Sequence, residues 1–339
     1  MIKSKNFVYS IIFGILGLLA YAASKFTSGK LIVVITAVGF LGFLASLIML
    51  EFQMKNLKKF LGAFITSLLV VITGTYLLLF PFVFFFQDVI ANQTGSFFQP
   101  RTISAEAAST LEASDILPLD IVTNDEIHLR GWLLRNSNEV RMPLVIFFNG
   151  SGSESSEMIS YMRDLTDWSV ALVNYRGFGL SDGKPTHAKV LTDSLIIYDT
   201  LVSRSDIDPD RVVAMGYSLG TGVAVYLSEQ RPTIGTILVS PFDNWTLIGV
   251  KQEPLYAPLT WMMKPYFDSI TRAEHIKTPL LCLIGSEDVS VPPERSLNLV
   301  NAWGGETKVI TYQGEGHQLL FHENKSWLDI YNFLEDLDV

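Results

Sequence analysis

Three runs near the amino terminus constrain this chain more than anything else in it. "FVYSIIFGILGLLAYAA" (7–23), "LIVVITAVGFLGFLASLIML" (31–50) and "FLGAFITSLLVVITGTYLLLFPFVFFF" (60–86) contain no charged residue. Each approaches or exceeds the roughly 20 apolar residues a helix needs to cross a bilayer core. In hydrocarbon a single segment can satisfy its backbone polar groups only as a helix. A removable signal peptide would have one short apolar core and a small-residue cleavage site, not three such runs. The sequence therefore predicts three transmembrane helices within residues 1–90.

Lysine placement sets their expected orientation, because basic residues favour the cytoplasmic side. Lys3 and Lys5 precede the first run, and Lys55, Lys58 and Lys59 lie between the second and third. The other side has Lys25, Lys30 and, after the third run, nothing basic until Arg101. The N-terminus is thus expected in the cytoplasm and the remainder outside it. Residues 1–90 carry +5, so the chain total of −9 leaves −14 on residues 91–339. An acidic surface of that size repels phosphate backbones and argues against a nucleic-acid partner. The single cysteine, Cys282, sits in "PLLCLIG" and reads as core.

Residues 91–114, beginning "ANQTGSFFQPRTISAEAAST", are mostly small and polar and read as a linker leaving the membrane. From residue 115 the pattern changes to short apolar runs: "PLDIVT", "IHLRGWLLR", "PLVIFFN", "SVALVNY", "RVVAMGY", "TIGTILVS", "PLLCLIG" and "KVITYQ". Helical stretches at about 155–167, 187–203, 218–230, 293–302 and 325–337 separate most of the later ones. Uniformly apolar strands alternating with helices predict a mainly parallel sheet covered on both faces. The first two strands, joined by "NDE", predict an antiparallel edge hairpin. In such sheets ligands bind at the carboxyl ends of the strands.

Those ends hold the candidate chemistry. "GYSLG" (216–220) puts Ser218 directly after "RVVAMGY" and before the helical "LGTGVAVYLSEQ". A G-x-S-x-G pentapeptide recurs by chance, but the strand-turn-helix context is the one a nucleophile elbow requires. A serine hydroxyl needs a base, and the base needs an orienting carboxylate. In this architecture the order is Ser, acid, His. Asp288 follows "PLLCLIG" and His317 follows "KVITYQ", with Glu287 a neighbouring acid that could substitute for Asp288. His128 falls in the hairpin, His187 and His275 precede or sit in helices far from the last strand, and His322 lies beyond His317 in the following helix. Two N–H donors are needed for an oxyanion. Leu219, after the nucleophile, is one candidate; the other lies in "NGSGSESSE" after "PLVIFFN", with Ser151 favoured and Gly152 the alternative.

With these residues in place the chain from about 118 to 337 resembles the α/β-hydrolases, in the branch of small serine hydrolases that includes membrane-associated esterases and protein depalmitoylases. The resemblance rests on "NYRGFGLSDGKPT" (174–186), "GYSLGTG" (216–222), "SPFDN" (240–244), "YFDS" (266–269), "GSEDVSVPP" (285–293) and "GEGH" (314–317). It implies an eight-stranded, mainly parallel sheet with helices on both faces, and Ser218, Asp288 and His317 as catalytic triad. It also implies a structural role for the "YRGFG" loop. The chain departs from the branch at Asn149-Gly150-Ser151, where His-Gly-Asn is usual.

Between "SPF" and "IKTP", about residues 242–276, lies a short apolar cap containing Trp245, Tyr256, Trp261 and Met262. These residues suit the wall of an acyl pocket; packing against the domain's own sheet is the competing reading. The function expected is a membrane-anchored serine hydrolase that cleaves a lipophilic ester or thioester beside membrane lipid through an acyl-enzyme. No metal or organic cofactor is expected, since no spacing such as His-Glu-x-x-His occurs. A peptidase of the same fold and a catalytically silent membrane binding module are the alternatives.

Overall fold

The apolar runs from "PLVIFFN" to "PLLCLIG" are built to be buried on both sides, and they form the centre of a sheet whose outermost strands stay partly exposed. The computed structural model describes residues 65, 69, 73, 98–135, 141–252, 265–322 and 324–337. The chain divides into two units, Met1–Phe86 and Gln87–Val339. Of the three apolar runs, only Ile65, Leu69 and Thr73 are described, and they are helical; the rest lie outside the described residues. Among the described residues no helix is long and apolar enough to cross a membrane.

The second unit is an eight-stranded sheet in the order β1-β2-β4-β3-β5-β6-β7-β8. The strands are β1 Ile116–Val122, β2 His128–Leu134, β3 Met142–Phe148, β4 Ser169–Val173, β5 Ile207–Tyr217, β6 Gly235–Val239, β7 Leu280–Gly285 and β8 Thr307–Tyr312. β1 pairs with β2 and β2 with β4 antiparallel, and every later pair is parallel. The "NDE" hairpin forms as expected, with Thr123 and Ile127 closing it and Glu126 at φ 62. β2 approaches β4 closely enough that a Cβ on Gly131 would lie 2.0 Å from the Leu172 carbonyl oxygen.

Among the described residues the five longer helices are α1 His187–Val202, α2 Leu219–Gln230, α3 Trp245–Gln252, α4 Pro293–Ala302 and α5 Asn324–Leu337. Side chains alternate across each strand. Leu144, Ile146 and Phe148 of β3 join a core with Val190, Ile197 and Leu201 of α1, Val223 of α2 and Leu299 of α4. Val145 and Phe147 join the opposite core with Met158, Met162 and, from α5, Ile330, Phe333 and Leu334. Burying each such side chain contributes ~1.5–3 kcal/mol relative to leaving it in water. The double-sided burial is what makes these strands read as unbroken apolar runs.

Two sequence expectations are corrected. The helix expected over 155–167 is a 3₁₀ turn, Ser155–Met158, followed by one helical turn, Ile159–Met162. It stops because Leu165 and Thr166 close successive tight turns onto Met162 and Asp164, while Arg163 is drawn to Asp115 at 2.6 Å. The linker expected over 91–114 is, from Phe98 on, part of the folded unit. Phe98 is buried in the core, residues Ala105–Ser109 form a short helix capped by Ser104, and Thr102 bridges to Gly179. The polar composition of the stretch concealed one inserted aromatic ring.

Register places the carboxyl ends of β3, β5 and β6 side by side, with Phe148 opposite Gly216 and Tyr217 opposite Val239. Gly285 of β7 stands opposite Tyr312 of β8. The loops that follow these strands therefore share one edge of the sheet.

Candidate active site

Ser218 occupies the abrupt turn between β5 and α2 with φ 52 and ψ −120. An L residue there is strained by roughly 1–3 kcal/mol, a cost that clusters at functional sites. Two glycines permit the turn. A Cβ on Gly216 would lie 2.4 Å from the Gly220 carbonyl oxygen, and one on Gly220 would lie 2.0 Å from that of Phe148. The Ser218 N–H donates to Val239 at 2.9 Å, which ties the turn to β6. Its side chain makes no helix cap and is free for other work.

That hydroxyl lies 2.8 Å from His317 Nε2, and His317 Nδ1 lies 2.7 Å from Asp288 Oδ2. A buried carboxylate at Nδ1 favours the tautomer protonated there, in which Nε2 can accept a hydrogen bond from the Ser218 hydroxyl. The other carboxylate oxygen, Oδ1, accepts the N–H groups of Ser290 and Val291 at 2.9 and 2.8 Å, so Asp288 is fixed by its own loop. Glu287, its neighbour, is exposed. Of the other histidines, His187 accepts the Phe267 N–H at Nε2, His128 meets Asp120, and His275 is exposed beside Glu274.

Two residues not anticipated from the sequence hold the histidine loop. The Tyr217 hydroxyl donates to the His317 carbonyl at 3.1 Å, and the Ser240 hydroxyl donates to the same oxygen at 3.3 Å. Ser240 sits just past β6 with φ 51. The Tyr217 ring lies 5.4 Å from the imidazole and edge-on to Phe321 at 5.7 Å. Burial, reinforced by the Asp288 charge, pushes the Tyr217 phenol up, so it stays a donor. Position x of "GxSxG" carries no marker for this role; the signal would have been an aromatic hydroxyl flanking the nucleophile.

The loop after β3 runs beside Ser218. A Cβ on Gly150 would stand 3.6 Å from the Ser218 Cβ and 3.3 Å from the Tyr217 ring. Buried Asn149 donates through Nδ2 to Ser155 at 3.0 Å, and its carbonyl accepts the Tyr175 hydroxyl at 2.8 Å. Asn174 bridges the Ser155 N–H and the Glu154 carboxylate. Leu219 opens α2, so its N–H is among those with no acceptor inside the helix, and that end of the helix favours negative charge.

Farther out, Arg176 of the "YRGFG" loop is buried between Asp193, which it meets at 2.6 and 2.7 Å, and Asp125, at 2.8 and 2.7 Å. Trp245 is half-buried and packs edge-on against Phe242 at 5.1 Å. Tyr256, Trp261 and Met262 lie outside the described residues. Among the described residues no three His, Cys, Asp or Glu side chains are grouped so that they could hold a metal ion.

Comparison with known proteins shows the family of the chain. The prolyl oligopeptidase family model matches residues 161–337. An uncharacterized protein of Mycobacterium tuberculosis is 32% identical over 212 residues, spanning 60% of this chain and 75% of that relative. The lysophosphatidylserine lipase ABHD12 of Rattus norvegicus is 29% identical over 187 residues, 47% of this chain and 45% of that protein. A solved α/β-hydrolase from Vibrio vulnificus superposes with a TM-score of 0.57 over 75% of this chain and 94% of its own, at 19% identity, a likeness of fold. The chain is a hydrolase of the α/β-hydrolase superfamily and belongs to the prolyl oligopeptidase family.

Proposed function

We propose that this chain is a membrane-anchored serine hydrolase that cleaves a lipophilic ester or thioester through an acyl-enzyme. The observation that carries the reading is the unbroken series from Ser218 Oγ to His317 at 2.8 Å and from His317 to Asp288 at 2.7 Å, on a serine in a strained turn. His317 removes the Ser218 proton as Oγ attacks the substrate carbonyl, and Asp288 holds the imidazole and stabilises its charged form. The Leu219 N–H and that of Ser151, with Gly152 as alternative, take the negative charge of the tetrahedral intermediate. The intermediate collapses, His317 protonates the leaving alcohol or thiol, and the acyl group remains on Ser218. Water, deprotonated by His317, then releases the acid and restores the hydroxyl.

Three charge-free apolar runs support membrane anchoring, with membrane lipid as partner and source of substrate. The cap residues Trp245, Tyr256, Trp261 and Met262 supply the apolar wall for an acyl chain. The lipase among the relatives acts on a lysophospholipid by its name, which supports an ester substrate here. The family's peptidase name favours a second reading, amide cleavage by the same residues.

A fluorescent fluorophosphonate probe tests the core of this. The detergent-solubilised wild type is expected to label, while Ser218→Ala and His317→Ala do not. p-Nitrophenyl esters of increasing chain length are expected to be hydrolysed faster than matched p-nitroanilides. An unlabelled, folded wild type would leave a silent binding module, and preference for the anilides would make the chain a peptidase.

A further inference from the structure

The segment that follows the third apolar run is fastened to the loop proposed to hold the oxyanion. The Gln99 N–H donates to the Ser151 carbonyl at 2.7 Å, and the Gln99 side chain lies over Gly152, with Oε1 3.4 Å from where a Cβ would stand. Phe98, the preceding residue, is buried edge-on against Tyr175 at 6.2 Å, Phe178 at 6.5 Å and Phe267 at 6.4 Å. Two residues on, the Arg101 carbonyl accepts the Gly179 N–H at 2.8 Å, and the Arg101 side chain pairs with Glu157. The strap is therefore pinned on both sides of Gln99.

From these contacts we infer that Phe98, Gln99 and Tyr175 form a clamp that positions the Gly150–Ser151 peptide for catalysis. The geometry of the peptide unit explains how. The Asn149 carbonyl is held by the Tyr175 hydroxyl and the Ser151 carbonyl by the Gln99 N–H. Each peptide is planar, so fixing its carbonyl fixes the plane. The peptide between these two, which carries the Ser151 N–H, is left with its flanks immobilised while glycine at 150 supplies the close approach to Ser218. The ring contact between Phe98 and Tyr175 makes the two grips one structure. Donors aimed in advance at the developing charge cost no reorganisation during the reaction, and this is where a positioning residue acts.

This inference rests on the reading of Ser218 as nucleophile, and the experiment separates the two. In the full-length protein Gln99→Pro removes the N–H together with the side chain, at a position that Pro100 already confines to extended backbone. Gln99→Ala keeps the N–H, and Tyr175→Phe removes the hydroxyl but keeps the ring. Turnover of a p-nitrophenyl ester is measured per fluorophosphonate-reactive serine, which corrects for any unfolded fraction. Gln99→Pro and Tyr175→Phe are each expected to lower kcat about tenfold with KM unchanged, well short of removing a donor outright. Gln99→Ala, which loses only the side chain over Gly152, is expected to fall much less than Gln99→Pro. Wild-type kcat in both damaging variants, with Ser218→Ala inactive, would overturn the clamp alone. A fall in Gln99→Ala equal to that in Gln99→Pro would also overturn it, because the backbone donor would then not be the agent. Full activity in Ser218→Ala would sink the clamp together with the nucleophile.

Discussion

At the scale of single residues, the site shows how much can depend on a missing methyl group. Gly220 has no room for a side chain, because a Cβ there would lie 2.0 Å from the Phe148 carbonyl oxygen and 2.6 Å from that of Asn149. Both are backbone atoms and cannot swing aside. Gly316, one residue before His317, has nothing within 4 Å of the same position. Gly220→Ala is therefore expected to destabilise the fold at or beyond the upper end of the ~1–3 kcal/mol typical of overpacking, and Gly316→Ala to stay within ~0.5 kcal/mol of wild type. Urea midpoints of the two variants check this. Equal midpoints would mean that the β5–α2 turn can open without cost.

At the scale of elements, the buried guanidinium of Arg176 ties the β4–α1 connection to α1 through Asp193 and to the β1–β2 turn through Asp125. The Arg176 and Asp193 side chains are each 5% exposed. Removing one member strands a charge in the interior, which typically costs ~3–5 kcal/mol, whereas replacing both by apolar groups of similar shape is often near neutral. Arg176→Met alone and Asp193→Leu alone are thus each expected to destabilise strongly, and the double variant Arg176→Met, Asp193→Leu to recover much of the loss. Additive losses in denaturant titrations of the three variants would contradict the picture and make the pair separately stabilising.

At the scale of the whole molecule, acid stability follows from where the carboxylates sit. Arginines hold Asp115, Asp125, Asp199 and Asp206 below the usual carboxylate range: Arg163, Arg176, Arg231 and Arg204 respectively. Their stabilisation is complete above the unfolded value, near pH 4, and is lost as pH falls through the lower folded values. Asp193 runs the other way: burial raises its carboxyl despite Arg176, so its contribution diminishes as pH rises through the folded value. Four groups against one give a net loss of stability on acidification. The thermal midpoint of the full chain is expected to hold from pH 7 to about 5 and fall below about 4; a midpoint that rose in acid would contradict this. Lysine placement makes a topological prediction at the same scale. In sealed right-side-out vesicles, added protease is expected to digest the unit after residue 90. Protection of that unit would reverse the orientation.

What the sequence determined by itself is local. Periodicity and turn chemistry are local properties, so the alternation of strands and helices, the "NDE" hairpin and the elbow around Ser218 were readable residue by residue. The order of Ser218, Asp288 and His317 at strand ends was readable too, and the folded chain brings the three within 2.8 Å of their neighbours in the series. The short helical turn at 159–162 was misjudged because the chain leaves it through tight turns closed by the Leu165 and Thr166 N–H groups, beside a tertiary contact from Arg163 to Asp115 that no local pattern announces. Only the tertiary structure decided that Asp288 and not Glu287 meets the histidine, that Tyr217 and Ser240 grip the His317 carbonyl, and that Gln99, in a stretch that looks like a linker, holds Ser151. The first two join loops that follow strands brought together by the order β5-β6-β7-β8, and the third lays the stretch before β1 over the loop after β3. A backbone carbonyl has no side-chain signature, so a hydrogen bond to one leaves no trace in the sequence until the fold brings its donor into reach.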